Sequence, residues 1–155
     1  MTKRKFGANG FIFLLSLLFA IVGFVIYLVN STTGYLSGTA LNYWVIILSV
    51  IAIVLGALLF IFRNSMEGHE SLVMIVIGVL LAVSVCLFID ERKTLAADVY
   101  FIPVNYPQAE ADALYLGIVG VAFYIVSIIT LVVSSMIGIE GKEVKKDEIT
   151  VVESK

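Results

Sequence analysis

The chain has 155 residues, of which 61% are hydrophobic and 14% are charged, and its formal net charge is −2. A soluble domain has roughly 45–50% apolar and about 25% charged residues, so this chain has too few polar side chains to cover a water-facing surface. No basic patch with interleaved aromatic residues is present, which argues against nucleic-acid binding. The single cysteine, Cys86, excludes a disulfide framework within one chain.

Four apolar stretches contain no Asp, Glu, Lys, Arg or His, and they cover residues 11–29, 41–62, 72–89 and 114–139. A helix that crosses a bilayer needs about 20 predominantly apolar residues. We therefore predict an all-α membrane protein that forms a four-helix transmembrane bundle within residues 1–139. The predicted helices cover about residues 9–30, 40–63, 70–90 and 108–139.

The first stretch follows Lys3, Arg4 and Lys5, as the apolar part of a signal peptide would. It is longer than the 7–15 apolar residues of a usual signal peptide, and no A-x-A-like cleavage site follows it. We expect a retained helix.

The basic residues predict how the bundle is oriented, because Lys and Arg accumulate in cytoplasmic segments. One predicted side carries eight of them: Lys3, Arg4, Lys5, Arg63, Lys142, Lys145, Lys146 and Lys155. The other side carries only Arg92 and Lys93. We therefore expect a multi-pass protein of the cell membrane with both termini in the cytoplasm.

Residues 91–107 are predicted to form an outer loop, the only sizeable segment between the spans. Its aromatic and proline residues make it the candidate partner-binding loop: Tyr100, Phe101, Pro103, Tyr106 and Pro107. Proline fixes φ and favours extended geometry in the preceding residue, so we expect an extended or turning segment. Residues 140–155 mix charges without helical periodicity, and we expect a mobile cytoplasmic tail.

Small and polar residues recur at alternating spacings of three and four, which predicts left-handed helix packing. In lipid, helices associate through close contact at small residues and through interhelical hydrogen bonds. We call the predicted set the packing seam, and it comprises Ser16, Ala20, Gly23, Tyr27, Ser49, Ala52, Gly56, Gly78, Ala82, Gly117, Gly120, Tyr124 and Ser127. In the third helix the predicted face comprises Ser71, Ile75, Gly78, Ala82 and Cys86.

An alternative interpretation is that the hydroxyl and amide side chains of the bundle line a polar path, formed by Ser16, Asn42, Ser49, Ser127 and Thr130. A water-filled path normally carries more than hydroxyl groups, so we favour packing. No predicted span carries an ionisable residue in its middle, although such residues usually mark ion or substrate routes.

No catalytic, cofactor or metal motif is present. The only histidine, His69, precedes Glu70 but lacks the second histidine of H-E-x-x-H, and no Ser-His-Asp set can be built around it. We therefore predict no enzymatic activity and no cofactor. Two functions are left: an accessory or scaffold subunit that presents the outer loop to a membrane partner, and a small transporter or channel component that works as an oligomer. The partners would be the lipid bilayer and another membrane protein or a second copy, and the sequence identifies no small-molecule ligand.

Overall fold

The computed structural model describes residues 8–37, 41–62, 70–101 and 108–153, with side chains for residues 10–37, 41–62, 70–101 and 108–137. These residues form four α-helices and one short 3₁₀ helix between the first two. The helices are α1 (Ala8–Thr32), the 3₁₀ helix (Gly34–Leu36), α2 (Tyr43–Phe62), α3 (Glu70–Phe101) and α4 (Gln108–Glu153). Among the described residues, four helices are long and apolar enough to cross a membrane. The prediction of an all-helical chain with four such helices is confirmed.

The four helices pack as a bundle in which neighbours run in opposite directions. At one end, the Tyr27 hydroxyl in α1 contacts Asn42, just before α2, and Glu91 in α3. At the other end, Phe13 in α1 lies near Leu59 in α2 and near the start of α3. We call the Tyr27 end the distal end and the Phe13 end the proximal end. The most extensive contacts join α1 to α4 and α2 to α3.

The interior of the bundle is apolar, and so is much of its outer surface. One contiguous core includes Phe13, Tyr27, Leu81, Phe88 and Tyr124, with each of these side chains nearly or fully buried. Large apolar side chains nevertheless face outwards along every helix, including Leu72, Ile75 and Val79 on α3. Apolar surface on this scale is rare on soluble monomers and is what a lipid-facing surface requires.

Helix α3 is longer than predicted. The prediction of an outer loop at residues 91–107 is wrong for residues 91–101, which are helical. The helix passes through the charged residues 90–93 and ends at Phe101. No Gly or Pro interrupts residues 90–101, and Leu95, Ala96 and Arg92 are good helix formers. Hydropathy falls at Asp90, but a fall in hydropathy does not end a helix. Pro103, Tyr106 and Pro107 lie outside the described residues.

The predicted packing face of α3 is also wrong. Ala82 and Cys86 are exposed, Ile75 is exposed, and Gly78 is only partly buried. The buried face of α3 instead carries large side chains and three polar ones: Glu70, Met74, Ile77, Leu81, Ser84, Val85, Phe88, Arg92 and Leu95. Large residues fit here because α3 fills the space around the closely packed α1–α4 pair.

The backbone of α4 continues as helix through Glu153, where the sequence predicted a tail from residue 140. Residues 142–148 are rich in Lys and Glu, which are good helix formers, and no proline follows residue 107. Missing apolar periodicity therefore does not end a helix whose residues favour helical geometry.

Candidate functional site at the distal end

The packing seam lies buried in α1, α2 and α4. Buried seam residues in these helices are Ser16, Ala20, Gly23, Tyr27, Ser49, Ala52, Gly56, Gly117, Gly120, Tyr124 and Ser127. Glycine brings the helices close: a Cβ atom on Gly120 would lie 2.9 Å from Ile26 and 3.0 Å from the Phe88 ring. On Gly23 it would lie 3.0 Å from the Tyr124 ring. These residues hold α1 against α4.

Hydroxyl groups of the seam bond to other helices. Ser16 Oγ donates to the Ser127 carbonyl at 2.8 Å, and Ser127 Oγ donates to the Ser16 carbonyl at 2.8 Å. The Ser49 and Tyr124 hydroxyls lie 2.8 Å apart and join α2 to α4. The cavity beside Ser16 and Ser127 has a volume of ≈10 Å³, about what a single water needs. The hydroxyl groups of Ser16, Ser49 and Ser127 therefore join helices of the same chain.

Thr130, which the alternative interpretation placed on a polar path, bonds within its own helix. Its hydroxyl donates to the carbonyls of Val126 and Ser127 at 2.8 and 2.9 Å. Asn42 lies at the distal end and accepts a bond from the Trp44 N–H through its side chain at 2.9 Å, so it caps the start of α2. The Thr130 hydroxyl therefore bonds within α4, and the Asn42 side chain bonds at the start of α2.

A cluster of buried polar groups closes the distal end, and sequence reasoning missed it. The Tyr27 hydroxyl accepts a hydrogen bond from the Asn42 N–H at 2.9 Å. The same hydroxyl can donate a hydrogen bond to Glu91 Oε2, 3.3 Å away, or to the Asn42 backbone carbonyl, 3.2 Å away. Arg92 donates to the Ser31 hydroxyl at 2.7 Å, and its Nη1 is 3.8 Å from Glu91 Oε2. We call Tyr27, Ser31, Asn42, Glu91 and Arg92 the distal polar cluster.

Arg92 is the best-buried cation of the described side chains and is only 5% exposed. Its guanidinium carbon lies 5.3 Å from the centre of the Phe88 ring, which adds a cation–π contact. Its aliphatic stem covers Gly117, and a Cβ atom there would lie 3.7 Å from the stem. A charge so enclosed is tolerated only when it is paired and hydrogen-bonded. The signal that could have located it is the buried face of α3, whose spacing continues from Phe88 through Arg92 to Leu95.

Beyond the cluster, the end of α3 packs on the start of α4 and on the 3₁₀ helix. Leu36, Leu95 and Leu114 form a second buried apolar group. The chain reaches it through Gly34, whose φ of +66° is a backbone conformation that glycine adopts without strain. Nearby, the Glu110 carboxylate accepts a hydrogen bond from Tyr35 and raises the pKa of that exposed phenol.

The last residues of α3 are aromatic and unusually exposed. Tyr100 is 63% exposed and Phe101 is 83% exposed. Beside them, between α3 and α4, lies a cavity of ≈220 Å³ with largely apolar walls. Tyr100 and Phe101 are the two residues of the candidate partner-binding loop that the structure describes. They belong to the end of helix α3 and not to a loop.

Within the described residues, no three His, Cys, Asp or Glu side chains lie close enough to hold a metal ion. Glu70 is buried at the proximal end, where it begins α3 and can complement the helix dipole. No protein-family model, curated protein or solved structure matches this chain.

Proposed function

We propose that this chain is a non-catalytic accessory or scaffold subunit of a membrane assembly, and that it presents the distal end of α3 to another membrane protein. The observation that carries the proposal is the exposure of Tyr100 and Phe101 at the end of a helix that runs past the apolar span. Burying an aromatic side chain is worth about 1.5–3 kcal/mol, and aromatic anchors dominate many interfaces. A protein surface that covers them would gain this free energy.

The rigidity of the surface supports the same proposal. Tyr100 and Phe101 continue a helix that is fixed to α4 through Leu95 and Leu114. The distal polar cluster ties α3 to α1 and to the start of α2. A surface that is already ordered loses less conformational entropy when a partner binds.

We further propose a cell-membrane location with both termini in the cytoplasm, and left-handed packing of the four helices. The excess of basic residues on the proximal side supports this orientation. Tyr43 and Trp44 support a headgroup boundary near the distal end, since both are exposed at the start of α2. The three-four spacing of Ser16, Ala20 and Gly23 supports the handedness.

The second candidate function is a small transporter or channel component whose path lies between copies. The sequence suggested this function because hydroxyl side chains recur along the packing seam. In the structure, those of Ser16, Ser49 and Ser127 bond to neighbouring helices of the same chain. That arrangement favours the accessory subunit, because a path needs hydroxyls that are free to bind water or solute.

Photo-crosslinking tests the proposal directly. A benzophenone amino acid at Phe101 should give one discrete crosslinked product with a different membrane protein in native membranes. The same amino acid at Val79, which is 56% exposed on the same helix, is the matched control and should give only lipid adducts. Tyr100→Ala should weaken crosslinking from position 101 while membrane insertion is unchanged.

Two results would contradict the proposal. One is equal crosslinking from positions 101 and 79. The other is crosslinking only to copies of the chain, together with solute leakage from liposomes that contain the pure protein. The second result would establish the transporter or channel alternative.

A further inference from the structure

The cavity between α3 and α4 has the composition of a site for an amphiphile. Its volume is ≈220 Å³, and its walls include Ile89, Ala96 and Ile118. Ile89 and Ile118 are each about half exposed, so the cavity opens on the outer face of the bundle. In water, an apolar space of this size would be costly to leave unfilled, and in a membrane the molecules that meet it are lipids.

The cavity spans two chemical environments along the helix axis. Ile89 belongs to the uncharged stretch of α3, whereas Lys93 and Tyr100 lie one and three turns farther towards the distal end. The walls themselves are largely apolar, and Lys93 and Tyr100, whose side chains end in polar groups, lie in the direction in which a phospholipid changes from acyl chain to headgroup.

The charged residues that line the cavity are both basic, Arg92 and Lys93, and no acidic residue lines it. Lys93 Nζ is 2.6 Å from Asp90 Oδ1, but both side chains are about two-thirds exposed, and such a surface pair contributes little. Lys93 can thus exchange its partner. Arg92 is held by Ser31 and Glu91, so its charge is paired within the bundle and Lys93 is the cation that a headgroup can reach.

We propose that this cavity binds one anionic phospholipid, with an acyl chain along Ile89, Ala96 and Ile118 and the phosphate beside Lys93 and Tyr100. The argument rests on the apolar walls and on Lys93, an exposed cation that can pair with a phosphate oxygen. The inference shares Tyr100 with the proposed accessory function, but Phe101, which is tested there by crosslinking, does not line the cavity.

Native mass spectrometry of the full chain tests the site, with phosphatidylglycerol and phosphatidylcholine of identical acyl chains as the probes. The purified protein should retain one phosphatidylglycerol per chain in preference to phosphatidylcholine. Ala96→Trp fills the cavity and should reduce the bound fraction by about tenfold, as expected for losing the contacts of about two methylene groups. Val79→Trp adds the same side chain to α3 away from the cavity and should leave binding unchanged.

Lys93→Gln tests the headgroup separately and should reduce the preference for phosphatidylglycerol by about fivefold. If Ala96→Trp does not fold, Ile118→Trp fills the same cavity from a half-exposed position. Equal binding in the cavity-filling variant and Val79→Trp would overturn the proposal, and so would an unchanged headgroup preference in Lys93→Gln. Absence of any retained phospholipid would also overturn it, and a side chain of a partner protein would then be the better occupant.

Discussion

Ser16 on α1 and Ser127 on α4 bond to each other reciprocally, since each hydroxyl donates to the other residue's backbone carbonyl at 2.8 Å. The two oxygens of the hydroxyl groups lie 3.4 Å apart. Such a pair forms only where two backbones approach closely, and Gly23 and Gly120 provide that approach farther along the same helices. The α1–α4 pair is therefore the tightest contact of the bundle, and α2 and α3 pack around it.

Ser16→Ala and Ser127→Ala should each destabilise the bundle by about 0.6 kcal/mol, the mean for hydrogen bonds between membrane helices, with an upper value of about 1.7 kcal/mol. Their effects should be coupled, because each substitution removes one half of a shared pair. A double-mutant cycle of unfolding in bicelles measures the coupling. Ser84→Ala is the control, since the buried Ser84 hydroxyl bonds to Leu80 within its own helix. Coupling of Ser16 to Ser84 as large as that to Ser127 would contradict the pairing.

Gly120→Ala should destabilise the bundle by about 1–3 kcal/mol, the usual cost of overpacking. The added methyl group would meet Ile26 at 2.9 Å and Phe88 at 3.0 Å, and Phe88 has no free space to move into. Gly78→Ala is the matched control, because its nearest contact is Leu131 at an ordinary 3.6 Å. The measurement is thermal unfolding in detergent. Equal melting temperatures for the two variants would show that α1, α3 and α4 do not approach as closely as described.

Arg92→Ala should destabilise the protein by about 3 kcal/mol, because it leaves Glu91 partly buried without its cation. Lys93→Ala, one residue later, should change stability by less than about 0.5 kcal/mol, since the Lys93 side chain is 68% exposed. Arg92→Met with Glu91→Gln should recover most of the loss by removing both charges. A loss from Lys93→Ala that matches that of Arg92→Ala would place residue 92 outside the bundle.

Tyr35 gives a test of the contact between the 3₁₀ helix and α4. The Glu110 carboxylate raises the pKa of the Tyr35 phenol above 10.0. The stabilising bond is complete below the ordinary tyrosine pKa and is lost as the pH rises through the raised value. In Glu110→Gln, the Tyr35 proton should be lost at a lower pH, which NMR of ¹³C-labelled tyrosine measures. If Tyr35 has the same pKa in both proteins, Tyr35 does not contact Glu110, and the described contact between the 3₁₀ helix and α4 would be wrong.

The number and approximate positions of the helices follow from the sequence because lipid imposes one requirement on each span: a long apolar run without charge. The seam in α1 and α4 could also be predicted, since Gly23 and Gly120 are informative wherever two backbones must touch. The same rule failed in α3, where Ala82 and Cys86 are exposed. Small size permits a close approach but does not supply the neighbour, and only the folded bundle shows where the neighbour lies.

The candidate site was harder to predict for a related reason. Hydropathy treats residues 90–93 as the point where the chain enters water. In the structure, the Arg92 side chain is buried in the bundle, where it donates a hydrogen bond to Ser31 and lies over the Phe88 ring. Phe88 lies one turn before Arg92 on the same helix, but Ser31 lies 61 residues earlier in the chain, so no local pattern contains that hydrogen bond. The aromatic pair Tyr100 and Phe101 was recognisable as unusual, but its place on a rigid helix end depends on the contact of Leu95 with Leu36 and Leu114.

Accessibility of position 101 in intact cells tests the central proposal most directly. In a Cys86→Ala background, Phe101→Cys should react with a membrane-impermeant maleimide added outside cells that overproduce the chain, where most copies have no partner over position 101. Ser154→Cys in the same background should react only after the membrane is permeabilised. This result would support a distal end of α3 that faces outwards, where a partner can bind Tyr100 and Phe101. Labelling of position 154 from outside, with position 101 protected, would reverse the orientation and contradict the proposed presentation.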